Sequence, residues 1–267
     1  MASKGVAAQA ARPADAPTKP AAGPEDIVGQ LLALPPHVGG FLKAEGSEDA
    51  LRCVLALTVE AEEARQLLAS RERAERSIDR EKSADIVEQA IRKRLNKNTG
   101  EITRKERESI TELNLSVTDL TDLTPLAGLS GLQSLNLTRT QVSNLTPLAG
   151  LSGLQSLDLM STQASDLRPL AGLSGLQRLD LKSTPVSDLT PLAGLSGLQM
   201  LYLNGTQVSD LTPLAGLSGL QSLYLTRTQV SDLTPLAGLS GLKELWVDKA
   251  VDTGALKGIE ALAIRRV

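Results

Sequence analysis

Few side chains in this 267-residue chain are equipped for covalent or metal chemistry. There is one histidine, His37, and one cysteine, Cys53. A zinc cluster needs several such ligands, and a nucleophilic triad needs an imidazole between a hydroxyl and a carboxylate. His37, beside Pro35-Pro36, supplies neither on a single chain. Cys53 has no partner for an intramolecular disulfide. No Gly-x-x-x-x-Gly-Lys-Ser/Thr or Gly-x-Gly-x-x-Gly segment is present to cradle phosphate. Asp158 and Asp180 are a carboxylate pair of the kind used for acid–base work. A flat strand surface without a cleft is a poor place for it, so neither a catalytic residue nor a cofactor is expected. The chemistry that remains is recognition. Tyr202, Tyr224 and Trp246 recur every 22 residues, and Phe41 is the only other aromatic residue. Tyr and Trp are favoured interface anchors. Met200, Arg227 and Asp248 flank them, while Asp158, Arg178, Asp180 and Lys182 form a mixed-charge set just upstream.

The elements that position these residues follow from the spacing of the leucines. The segment Leu123–Asn144 recurs almost verbatim from Leu145, Leu167, Leu189 and Leu211, and in diverged form from Leu233. A fixed period of this size predicts a solenoid. Within one unit, Leu126, Leu129 and Leu132 are three apart, as suits a short 3₁₀ turn. Pro125 is tolerated at the start of such a turn. Leu135-x-Leu137 puts two side chains on one face of a short strand. One coil cannot bury its own leucines. Stacked coils can, and their strands then form a parallel sheet. Gly128 and Gly131 are expected in turns, where a missing side chain permits close stacking.

The pattern Leu-x-x-Leu-x-Leu-x-x-Thr-x-Val resembles the leucine-rich repeat of the 22-residue, internalin-like class found in bacterial proteins, over about residues 100–267. The resemblance implies an α/β solenoid, right-handed and curved, with a parallel β-sheet on its concave face and an α-helical N-terminal region. Such repeats usually place Asn where this chain has Thr118, Thr140, Thr162, Thr184, Thr206 and Thr228. A hydroxyl ladder is the expected substitute, with fewer bonding groups than an amide.

Comparison of the five close copies separates scaffold from surface. Three columns alternate with the buried leucines and therefore face out of the sheet. They are Ser134/Ser156/Arg178/Met200/Ser222, then Asn136/Asp158/Asp180/Tyr202/Tyr224, then Thr138/Met160/Lys182/Asn204/Thr226. A fourth variable column, Arg139/Ser161/Ser183/Gly205/Arg227, follows directly. Convex positions such as Ala127, Ser130 and Gln133 should be equally exposed, yet their columns do not vary. A selected face explains that contrast better than drift. Adjacent strands lie about 4.8 Å apart, so Tyr202, Tyr224 and Trp246 should stack as a ladder. The competing reading is that the rings only shield the sheet and the charges only pair among themselves.

In chain order, residues 1–23 are an Ala/Pro-rich tail expected to be disordered. Residues 24–83 form an α-helical region, with a short helix before Pro35-Pro36, a second from an N-cap at Ser47, and a solvated, charge-paired stretch over 70–81. Residues 84–112 are the helical N-terminal cap, opened by Ser83. Residues 113–250 are the repeats and 251–267 the C-terminal cap. The net charge of −3 and the 1% aromatic content argue against a nucleic-acid or membrane surface. No signal-like or membrane-spanning apolar run is present, so a cytoplasmic location is expected, with non-classical export as its alternative. The expected function is a non-catalytic module that binds an unidentified protein on the concave face through Tyr202, Tyr224 and Trp246. A carbohydrate on the same rings is a minor alternative. The other reading is an adaptor or regulator, such as a translocated effector, whose helical N-terminus carries the activity while the repeats target it.

Overall fold

The computed structural model describes residues 48–259 and 262–267, with side chains from Gln66 onward. The tail, the helix before Pro35, His37, Phe41 and the Cys53 side chain lie outside the described residues. The chain divides into two compact units, Met1–Ser70 and Arg71–Val267. The first contributes only helix from Glu48 to Ser70 to the description.

That helix, α1, runs unbroken over Glu48–Leu95. The sequence predicted an interruption before a new helix capped at Ser83. The structure corrects this. No Gly or Pro interrupts the span, and i,i+4 pairs carry it through the charged stretch, Arg71–Glu75 at 2.8 Å and Glu72–Arg76 at 3.3 Å. Ser83 sits mid-helix and is buried. Its Oγ accepts the Asp122 N–H at 3.1 Å, tying the helix to the first coil. Val87 and Ile91 are buried against the leucines of that coil. A one-turn helix, α2 (Arg104–Glu108), follows and starts with a capping box between Thr103 and Glu106. The Thr103 backbone N–H, then Lys97 and the Thr103 hydroxyl, hold the Glu106 carboxyl down at about 2.

The solenoid is one eight-stranded parallel sheet in strict sequence order. Its strands are β1 (Glu112–Asn114), β2 (Ser134–Asn136), β3 (Ser156–Asp158), β4 (Arg178–Asp180), β5 (Met200–Tyr202), β6 (Ser222–Tyr224), β7 (Glu244–Val247) and β8 (Ala263–Arg266). The register keeps each repeat column level, as in Leu179↔Leu201↔Leu223. Behind each of the first seven strands lies a 3₁₀ turn, six of them opened by Thr-Pro or Arg-Pro. An Asp or Asn two residues ahead of each turn accepts a turn N–H, as Asp188 does from Thr190 at 2.8 Å. The repeat leucines fill a continuous core between strands and turns.

Three details of the coil differ from or refine the sequence reading. Each repeat Thr hydroxyl bonds the carbonyl three residues back in its own coil, as Thr140 does to Leu137 at 2.8 Å. The hydroxyls therefore close individual turns and do not form a ladder between coils. Only the second glycine of Ala-Gly-Leu-Ser-Gly is needed for stacking, and not in every coil: a Cβ on Gly241 would lie 2.8 Å from the Ser218 carbonyl, one on Gly175 would sit at an ordinary 3.6 Å, and one on Gly194 meets nothing within 4 Å. The Arg139 column is left-handed. Val117, Arg139, Ser161, Ser183 and Arg227 have φ of 54–58°, and Gly205 alone supplies the residue suited to it.

Candidate functional site

Two sets of residues share the outward face of the sheet. On the N-terminal strands the central column is Asn114, Asn136, Asp158 and Asp180. Each side chain turns back and accepts the backbone N–H two residues on: Ser116 at 3.0 Å, Thr138 at 2.9 Å, Met160 at 3.0 Å and Lys182 at 3.1 Å. This is an Asx turn, which closes the backbone as it leaves the strand. Asp158 also accepts from the Thr138 hydroxyl at 2.8 Å. Asp180 is only 2% exposed, with Lys182 Nζ at 3.1 Å and Arg178 Nη2 at 3.5 Å from Oδ2. The sequence placed Asp158 and Asp180 on an open charged surface. In the structure both are occupied with their own backbone, and Asp180 is buried. Their carboxylates are thereby poorly placed to serve as an acid–base pair.

From β5 onward the same column is Tyr202, Tyr224 and Trp246. The two tyrosine rings stack with centroids 4.3 Å apart and planes 12° apart. Tyr224 and Trp246 follow at 6.0 Å and 24°. Such offset stacking adds to the apolar area the rings cover. Cations close the upstream end: Lys182 Nζ lies 4.1 Å and Arg178 Cζ 4.4 Å from the Tyr202 centroid. Arg178 Nη1 also donates to the Tyr202 hydroxyl at 2.6 Å. At the downstream end Glu244 accepts from the Tyr224 hydroxyl and from Trp246 Nε1, both at 2.9 Å. Burial, then the Glu244 carboxylate, pushes the Tyr224 phenol up to about 12. The Trp246 and Tyr224 donors hold Glu244 below the usual carboxylate range. Glu244 escaped the sequence reading. It stands level with Ser222 and Met200 in a diverged coil, and that shift from Ser to Glu was the available signal.

The aromatic substitution removes a cap. A tyrosine ring cannot turn back on the backbone, and among the described residues nothing accepts the N–H of Asn204 or Thr226. Asn204 Nδ2 donates to the Thr226 hydroxyl at 2.6 Å, and Asn204 Oδ1 is buried without a partner. Asp248 departs from the pattern as well: both its carboxylate oxygens take the Arg227 N–H, at 3.1 and 2.9 Å. Met200 stands beside the rings, half-buried, at the end of a groove of about 290 Å³ that runs upstream past Arg178, Ser156 and Ser134. The residues singled out from the sequence thus fall into a connected group (Arg178, Lys182, Tyr202, Tyr224, Trp246), a neighbour (Met200), residues engaged in capping (Asp158, Asp180, Asp248) and the exposed Arg227, whose side chain joins none of them. Among the described residues no helix is long and apolar enough to cross a membrane, and no group of three or more His, Cys, Asp or Glu is placed to hold a metal.

The fold and the face together can be set against known proteins. A family model described as leucine rich repeats (2 copies) matches residues 174–216 and 196–238. Among solved structures, an internalin, InlF, from Listeria monocytogenes is 30% identical with a TM-score of 0.61, covering 66% of this chain and 54% of that one. An internalin C2 from the same species is 32% identical with a TM-score of 0.56, covering 68% of this chain and 92% of that one. The chain therefore spans about half the length of the first relative and most of the second. No curated protein matches it at a significant level.

Proposed function

Because the chain belongs to the internalin-like class of leucine-rich repeat proteins, whose fold is that of a protein-interaction module, we propose that its repeats form a non-catalytic surface that captures one protein partner on the concave sheet face. The anchors are Tyr202, Tyr224 and Trp246. Arg178 and Lys182 at one end and Glu244 at the other give the strip opposite charges at its two ends, a means of orienting the partner. The observation that carries this reading is the lost caps. Drift at a tolerant surface position would not explain why two successive coils give up a backbone hydrogen bond and gain a large ring. A rigid sheet presents these rings already ordered, so little conformational entropy is lost on binding.

The test is a comparative capture experiment with wild type and a Tyr202/Tyr224/Trp246 triple-alanine form of matched thermal stability. A protein retained only by wild type supports the reading, and equal retention by both overturns it. Within the strip, Tyr224→Ala is expected to weaken binding of that protein by about 2 kcal/mol while leaving the melting temperature nearly unchanged.

A further inference from the structure

The uncapped N–H groups of Asn204 and Thr226 say something about the partner's chemistry. On the four upstream coils the equivalent position is filled from within by a carboxamide or a carboxylate at 2.9–3.1 Å. The site is thus shaped for that kind of acceptor, and on the two tyrosine coils the chain does not supply one. We infer that an extended segment of the partner seats an acidic side chain there, with its two carboxylate oxygens accepting the N–H groups of Asn204 and Thr226 beside the Tyr202 and Tyr224 rings. The inference rests on the concave-face reading above and adds the identity of the group recognised.

Three features support it. Strand neighbours lie about 4.8 Å apart, so one carboxylate can bridge two donors on adjacent coils. Positive charge stands at this edge, where Arg178 and Lys182 both lie against Asp180, and carboxylates flank it at Asp158, Glu244 and Asp248. The exposed Arg227 follows Thr226 directly and has no ion-pair partner among the described residues. Access is open as well. Gly205, next to Asn204, is the only residue in the left-handed column without a side chain to overhang the site.

The experiment is an amide-resolved NMR titration of the full chain with two probes, acetyl-Ala-Glu-Ala-Glu-Ala-amide and its Gln counterpart. The Glu peptide is expected to move the Asn204 and Thr226 amide signals first, and to bind about tenfold tighter than the Gln peptide. Lys182→Ala should erase most of that preference. Tyr202→Asn, which restores an internal acceptor, should silence the Asn204 response and spare that of Thr226. Equal binding of both peptides, or responses centred elsewhere, overturns the inference. Equal binding with shifts at the three rings would leave the concave-face reading standing and remove only the acidic preference. Absence of any response also overturns the inference, and the concave-face reading is then judged by the triple-alanine capture alone.

Discussion

The upstream and downstream halves of the sheet share one scaffold and differ most sharply in the column Asn114, Asn136, Asp158, Asp180, Tyr202, Tyr224 and Trp246. From β1 to β4 that column bonds its own backbone, and from β5 to β7 it stacks rings above it. The leucines beneath are the same in both halves and equally buried. The comparison teaches that in a solenoid one coil position can cap its own backbone or present a ring, and that the second choice leaves a visible mark, here two amides without an acceptor among the described residues.

The largest effect should ignore the boundary between the halves. Leu157→Ala upstream and Leu201→Ala downstream are each expected to destabilise by about 2–5 kcal/mol in chemical denaturation. A much smaller loss for one would mean that the halves do not share a uniform core. The next effect should respect the boundary. Asn136→Ala removes an Asx cap and should cost about 1 kcal/mol of stability without touching partner binding, the reverse of Tyr224→Ala. If Asn136→Ala weakens binding as Tyr224→Ala does, the division of labour fails. A smaller gain should come at Val117, a 71%-exposed β-branched residue held at φ 58°. Val117→Gly relieves left-handed strain but adds backbone entropy to the unfolded chain, for a net stabilisation of about 0.5–1 kcal/mol. A lower melting temperature would show that the Val117 side chain matters in some other way.

The smallest effect is acid sensitivity, and it should run through both halves. Asp188, Asp210 and Asp232 are held below the usual carboxylate range by the hydroxyl and then the backbone N–H of the following Thr. Asp166 is held at about 2 by Arg168. These carboxyls are more acidic folded than unfolded. Their contribution is therefore complete above roughly pH 4 and is lost as pH falls through the folded values, toward 2 for Asp166. Asn144 occupies the same place and does not titrate. Replacing the four aspartates with Asn should flatten the acid limb of the stability curve, and an unchanged limb would assign acid sensitivity elsewhere.

The period, the buried leucines and the ladder of Tyr202, Tyr224 and Trp246 were legible in the sequence because each depends only on spacing within near-identical copies. The roles of Asn136, Asp158 and Asp180 were not. Alternation says which way a side chain leaves the strand, but not that a short carboxylate folds back onto the amide two residues ahead. The left-handed column carried one signal, Gly205 among Arg and Ser, but five non-glycine residues concealed a shared backbone conformation. The continuity of α1 through Ser83 was missed because a good capping residue was given more weight than the absence of any helix breaker.

The level register of the strands has a consequence for how this surface can change over generations. Duplicating or deleting one 22-residue unit leaves every pair in the remaining coils intact, since each column meets its own kind in the next strand. The distance between the Ser83 anchor and the tyrosines would then lengthen or shorten in steps of about 4.8 Å. The solenoid thereby acts as a ruler graduated in single coils: recombination sets how far the rings stand from the helix, and point substitution sets what they touch.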